Sequence, residues 1–296
     1  MGYELNYWHA RVHAVRRLTP GMVRVRFGGE ELAGWQTTGV PDEYVRLLFP
    51  PERDAVPALP QPDETGLWNY PDGAIEPVER TYTIRHADAG DGTIDIDFAL
   101  HDGGIGSAWA RQASPGQVVG ITAPYGLYRP PADADWHLYA GDPTALPAIG
   151  RAVEQLPRGT RVHVVVEVDN EEERQAFATA ADIDLTWLLT DVAHGPSKLP
   201  AVVRDYARLP GKGYIWVAGE AGATRAARKH LRHELKRAAD TYTVVGYWRY
   251  QAEEWNAKYE KIEANVLARL DAAREAGRSE EELVDEYEAS LDAAGL

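Results

Sequence analysis

The feature that most restricts this chain is a change of hydrophobic rhythm near residue 131. Before it, short runs alternate apolar with polar residues, at 10–15, 22–27, 44–49, 80–85 and 93–101. In the last run Ile94, Ile96, Phe98 and Leu100 share one face, while Asp95 and Asp97 take the other. That is the two-residue period of a half-buried strand. Several such strands, joined by turns like Thr19-Pro20-Gly21, fit a small antiparallel barrel. Residues 50–77 are rich in Pro, Asp and Gly and have no period. They are expected to form a long loop of the kind that often carries function.

After the change, strands are expected at 136–140, 162–168, 185–190, 214–218 and 242–248. Helices are expected near 145–155, 171–180, 199–208 and 223–237. Such βα alternation implies a parallel sheet covered on both faces. Ligands of such sheets bind at the carboxyl ends of the strands. From residue 251 the chain reads as helical. Trp255, Tyr259, Ile262, Val266, Leu270 and Ala273 make one apolar stripe on a helix that Gly277 ends. Ser279 with Glu282 forms a capping box for a second helix. The extension is expected to pack on the body of the protein or on a second subunit. The expected architecture is a six-stranded antiparallel β-barrel over 1–131, a parallel-sheet α/β domain over 132–250 and a C-terminal helical extension over 251–296.

Composition removes several function classes. The 296 residues include no cysteine, so thiolate chemistry, disulfides and cysteine-ligated iron–sulfur or zinc centres are excluded. Redox chemistry would need a bound cofactor. A net charge of −15 repels a phosphate backbone, so nucleic acid is not an expected partner. No apolar run approaches the roughly 20 residues of a membrane span, and the first six residues lack the pattern of a secretory leader. A cytoplasmic location without membrane insertion is the expectation.

Four segments have the makings of a site. Arg80-Thr81-Tyr82-Thr83 alternates on a strand, so Arg80 and Tyr82 share one face and Thr81 and Thr83 the other. A flavin needs a cation for its pyrophosphate, a flat wall and a hydrogen-bond partner near N5, and these residue types supply them. An ordinary strand with an exposed arginine accounts for the same four residues. Gly103 to Ala110, directly after a strand, can present free N–H groups to a phosphate from the start of a helix. A simple helix cap by Ser107 is the alternative. Asp142 and Thr144 follow the first parallel strand, and Gly219-Glu220 a later one, where a nucleotide would dock. The chain has no Gly-x-Gly-x-x-Gly, which disfavours a generic Rossmann dehydrogenase.

In order and spacing these segments resemble the siderophore-interacting protein family, a branch of the ferredoxin-reductase superfamily. The resemblance runs through Arg17-Leu18-Thr19-Pro20-Gly21-Met22-Val23-Arg24, Tyr44 to Pro50, Arg80 to Thr83 and Asp97 to His101. It continues through Gly106 to Ala110, Thr144 to Ile149, Ala218-Gly219-Glu220 and Gly246-Tyr247-Trp248-Arg249. It implies an FAD-binding barrel, a nicotinamide-nucleotide-binding α/β domain and reduction of ferric siderophores. It places the flavin motif on Arg80, Tyr82 and Thr83, and the phosphate turn on Gly106, Ser107 and Trp109, with Asp97 and His101 inside matching segments. Position 143 is proline where the family usually has an acid, and Arg46 stands where a lysine is common.

No acid–base dyad and no protein-bound metal are expected. The donor is read as NADH, because Asp169 and the acids after it suit a ribose hydroxyl better than a 2′-phosphate. NADPH, or a ferredoxin received by the basic residues of 225–237, remain alternatives, as does a solvated basic face there. Arg46, Arg249, Lys258 and Lys261 are expected to receive the ferric siderophore, with the C-terminal helix folding back across the cleft. A non-catalytic iron-chelate carrier, or a flavin reductase with another acceptor, would share much of this pattern.

Overall fold

A computed structural model of the chain describes residues 6–191 and 195–296. The first five residues, part of the stretch expected to carry no leader, lie outside that set. The N-terminal part contains β1 (Tyr7–Thr19), β2 (Met22–Gly28), β3 (Tyr44–Phe49), the short β4 (Gln61–Pro62) and β5 (Trp68–Asn69), β6 (Val78–Asp88) and β7 (Thr93–Ala99). Helix α1 (Ile105–Gln112) and β8 (Val118–Thr122) complete it. Six strands close into a barrel in the order β1-β2-β7-β6-β3-β8, antiparallel throughout. Val25, Phe27, Leu47, Phe49, Ile96 and Phe98 fill it. Each such side chain contributes about 1.5–3 kcal/mol by leaving water. No alternating run marks β8, because all five of its residues are buried. Gly120 at its centre admits Leu48 and Leu59, whose atoms lie 2.9 and 2.7 Å from where a Cβ would be.

The second part contains β9 (Trp136–Gly141), α2 (Leu146–Gln155), β10 (Arg161–Val168), β11 (Asp182–Leu189), α3 (Leu199–Tyr206), β12 (Gly213–Glu220), α4 (Ala221–Lys229) and β13 (Tyr242–Trp248). The five strands are parallel, in the order β11-β10-β9-β12-β13. Near-continuous apolar strands are what a sheet covered on both faces requires. Leu146, Ile149 and Val153 of α2 pack on one face, and Leu199, Val203, Ala227 and Leu231 on the other.

Two helical expectations fail here. Residues 171–180 form only a single turn at Glu171–Glu173 and then continue without regular structure. The carboxylate of Glu173 is buried against the barrel, accepting from Gly21 N at 2.7 Å and Thr19 Oγ1 at 2.5 Å. Thr179 holds the segment to the carbonyl of Val153. These tertiary bonds outweigh the helix propensity of the acidic run. The helix expected over 223–237 ends as regular α-helix at Lys229 and continues as a widened π turn, His230–Glu234.

The C-terminal extension differs from expectation in a third way. Its first helix is two, α5 (Ala252–Tyr259) and α6 (Glu263–Glu275), followed by α7 (Glu280–Ala293). Trp255 stacks on Tyr259 at 4.9 Å, and Tyr259 meets Tyr287 of α7 at 6.4 Å, so the stripe closes on its own hairpin. Gly277, with φ of 72°, turns the chain, and the Ser279–Glu282 capping box starts α7. α7 then lies on α4. Arg228 reaches Glu281, Asp285 and Glu288, Arg232 reaches Asp285, and Arg225 reaches Asp292 and the carbonyl of Leu296. The basic face that was to be solvated, or to receive a ferredoxin or a 2′-phosphate, is thus covered by the chain's own acids. The extension packs on the body of this chain.

Candidate functional site

The strand order places one crevice. From β9 the chain moves outward to β10 and β11, then returns to the other side of β9 for β12 and β13. The carboxyl ends of β9 and β12 therefore flank a topological switch point, where open α/β sheets bind ligands. Asp142 follows β9 and is 1% exposed. It accepts from Thr144 N at 2.9 Å, Thr144 Oγ1 at 2.6 Å and Trp248 Nε1 at 2.7 Å. Burial pushes its carboxyl above the ordinary range, with those bonds and one from the backbone of Glu220 opposing. Gly219, at φ of 151°, passes so close that a Cβ would stand 2.4 Å from Asp142 Oδ2. Glu220 caps α4 through Ala223 N at 2.9 Å. Four expected nucleotide residues are thus gathered at one point, with Trp248 held over them.

The barrel presents β3 and β6 to this crevice. Tyr44 pairs with Thr83, Val45 with Tyr82, Arg46 with Thr81 and Leu47 with Arg80. Tyr44, Arg46, Thr81 and Thr83 therefore share one face, and Tyr82 and Arg80 the other. Thr83 lies close to the hydroxyl of Tyr247 from β13, so barrel and sheet meet inside the cleft. Trp216 of β12 donates to Asp42 Oδ2 at 3.1 Å, and Asp42 Oδ1 accepts from Leu127 N and Tyr128 N. Sequence reading missed Asp42, Tyr44, Trp216 and Tyr247 as site-forming residues. Tyr44 and the Tyr247-Trp248 pair stood out only as parts of matching segments.

Tyr82 packs on Phe98 at 4.5 Å and on Phe49 at 6.2 Å, and burial raises its hydroxyl to about 12. The hydroxyl rests on the first turn of α1, where a Cβ on Gly106 would lie 1.7 Å from it. Gly106→Ala is accordingly expected to displace Tyr82 and to cost about 1–3 kcal/mol of overpacking, measured by urea denaturation. Unchanged stability would show that the tyrosine is not seated on this glycine.

The turn before α1 is closed by Ser107, which accepts from His101 N at 3.0 Å and donates to His101 O at 2.8 Å. Ser107 is not the helix cap. That position is Gly104, and both Gly103 and Gly104 have left-handed φ, 74° and 82°. The turn opens on a cavity of about 350 Å³, lined by His101, Asp102, the two glycines and Arg111. Arg80 is exposed and spends one N–H on the carbonyl of Glu79.

Other expected residues sit elsewhere. Trp109 is 5% exposed and fills the barrel between Phe27, Phe49 and Phe98. Asp97 is buried and held in two bonds by Arg24, at 2.6 and 2.7 Å, joining β2 to β7. Asp169 is exposed just past the carboxyl end of β10. The gathering of Arg46, Lys258 and Lys261 is not what the contacts give. Arg46 pairs with Glu79 at 3.5 Å and Lys258 with Glu254 at 2.8 Å, the i,i+4 partner on its own helix. Lys261 falls in the break between α5 and α6. Arg249 lies 3.9 Å over the ring of Trp255, and burial lowers its basicity.

These residues fit a flavin dinucleotide. The exposed guanidinium of Arg80 shares a strand face with Tyr82, whose hydroxyl rests on Gly106 just behind two left-handed glycines. That is the donor set a pyrophosphate and a flat ring require.

Comparison with known proteins agrees with this geometry. Residues 11–128 match the family model described as Siderophore-interacting FAD-binding domain, and residues 134–251 the model described as Siderophore-interacting protein. Ferric vibriobactin reductase of Vibrio cholerae is 30% identical, the match covering 78% of this chain and 85% of the relative. The NADPH-dependent ferric-chelate reductase of Escherichia coli is also 30% identical, covering 78% of this chain and 89% of the relative. The crystal structure of a siderophore utilization protein from T. fusca superposes with a TM-score of 0.68 at 31% identity, over 83% of this chain and 94% of that one.

Proposed function

Because the chain belongs to the siderophore-interacting protein family, we propose that it is an FAD-dependent reductase of ferric siderophores, with NADH as donor. The single observation that carries the reading is the seating of the barrel on the switch point of the parallel sheet, where Trp216 of β12 donates to Asp42 just before β3. A nucleotide seated on one wall and a flavin on the other would meet there.

Arg80 and the start of α1 would hold the pyrophosphate, Tyr82 would wall the ring, and Tyr44 and Thr83 offer hydroxyls at its edge. Asp142, Thr144, Gly219 and Glu220 would shape the nicotinamide side. Bound FAD supplies the conversion of a two-electron hydride donor into single electrons. Ferric iron is held by hard anionic oxygens, and the same donors hold ferrous iron more weakly, so reduction releases it. The protein's own part is to bring the chelate to the flavin edge, past Arg46 and Arg249, which needs no acid–base pair. A cytoplasmic setting suits such release. The helix pair α4–α7 argues against a ferredoxin docking on α4, since its arginines are already engaged.

NADH is favoured by the position of Asp169 past β10, with Asn170 and Glu171 following it. The Escherichia coli relative is NADPH-dependent by name, so the donor is a property to test in this chain. Anaerobic reduction of the FAD-loaded protein should be fastest with NADH, ahead of NADPH and reduced ferredoxin. Asp169→Ser should then narrow the NADH preference by about tenfold, the scale of one charge-assisted hydrogen bond. A wild type that prefers NADPH overturns the assignment of Asp169.

A further inference from the structure

We infer that Glu79 selects ferric chelates by charge, favouring those with a neutral iron core, such as trihydroxamates, over triply anionic tris-catecholates. The inference rests on the reductase reading above. Arg46 stands opposite Thr81, and Glu79 lies two residues before Thr81, so both project from the same face of the β3–β6 pair. Their charged ends are 3.5 Å apart, with Arg46 59% and Glu79 33% exposed. That face runs on through Tyr44 and Thr83 to Tyr247 in the cleft. In the other direction Leu48 is sealed, with Leu59 of the long loop close by. The pair therefore occupies the open rim between loop and cleft, on the path of a chelate approaching the flavin.

The rim is not a basic patch. The hydroxyl of Tyr70 sits 3.5 Å from Glu79, and Glu76 adds a second acid near it. Tyr70 stays protonated, burial and then Glu79 pushing it up to about 12. Tyr7 lies close to both Glu79 and Arg46 and packs on Trp68 at 5.1 Å. Lys258 is engaged by Glu254. One cation faces two acids and an aromatic wall.

Three hydroxamates, each singly charged, neutralise ferric iron. Three catecholates, each doubly charged, leave the complex triply negative. A trianion drawn to Arg46 meets the field of Glu79 at the same point, whereas a neutral complex does not. An exposed ion pair of this kind adds little to stability, so the fold does not depend on Glu79. Its field acts instead at the range of an incoming ligand and is screened by salt.

The test is equilibrium binding of ferrichrome, a neutral trihydroxamate, and ferric enterobactin, a trianionic tris-catecholate. Both are titrated at low ionic strength into the oxidised FAD-loaded protein, as wild type, Glu79→Gln and Glu79→Asp. Glu79→Gln should shift the ratio of the two Kd values by about tenfold toward the tris-catecholate. Glu79→Asp should keep the wild-type ratio, and high salt should shrink the shift. An unchanged ratio in Glu79→Gln overturns the inference. Reduction of ferrichrome by NADH, run in parallel, separates the two levels. A wild type that reduces ferrichrome while the ratio stays fixed loses only the charge selection. One that reduces no ferric chelate loses the reductase reading and the inference with it.

Discussion

Arg80→Ala is expected to leave a folded protein that binds FAD about a hundredfold more weakly. The arginine is exposed on β6, and it donates to the neighbouring carbonyl of Glu79, so its loss opens no core cavity. A charge-assisted bond to a pyrophosphate is worth about 1.5–3 kcal/mol. The hundredfold figure sits inside that range. Flavin occupancy after purification and a titration of the stripped protein with FAD measure it. Full occupancy in the mutant, with unchanged affinity, would remove β6 from the flavin site.

The largest effect on stability is expected from Arg151→Ala. Arg151 on α2 is 7% exposed and Glu43 is fully buried, yet they come from different halves of the molecule. Arg151 Nη1 donates to Glu43 Oε1 at 2.7 Å and to the carbonyl of Ile84 at 2.9 Å. Glu43 also accepts from Thr38 N at 2.6 Å. Removing the arginine leaves a buried carboxylate without its counter-charge, which costs about 3–5 kcal/mol. The urea midpoint should fall with little change in slope. The double change Arg151→Met with Glu43→Gln should recover much of the loss, because it removes the stranded charge as well. A single mutant within about 1 kcal/mol of wild type would mean that the pair does not clamp the two halves together. Glu43 adjoins Tyr44, and Ile84 adjoins Thr83, so the clamp also fixes the two residues that face Tyr247.

Much of the fold was legible because local pattern and tertiary role coincide. β3 and β13 fall at the residues where alternation and apolar runs place them. β8 was not legible, since a strand buried on both faces has no alternation. The stretch 171–180 misled because its acids resemble a helix start, while Glu173 is taken by a turn 152 residues earlier. That α4 and α7 are helical was legible, although α4 is shorter than expected. That they cover one another depends on a contact across some sixty residues, which composition does not encode.

The candidate site divides in the same way. Its strand tetrapeptide, glycine turn and the two strand-end segments could be found from short motifs. Asp97 and Trp109 lie inside those motifs but serve the barrel, one pairing across β2 and β7, the other filling the core. Asp42 and Trp216 join the halves from positions 174 residues apart, and no local signal marks them.

The most direct measurement follows ferrous iron. Protein loaded with one equivalent of FAD is mixed anaerobically with NADH and a ferric trihydroxamate, and ferrous iron is trapped with a chromophoric chelator. Each hydride carries two electrons and each ferric ion takes one, so the account predicts two ferrous ions per NADH consumed. It also predicts that the reaction requires both protein and flavin. Failure to bind FAD, or NADH oxidation with no ferrous iron above the rate of free FAD, would contradict it.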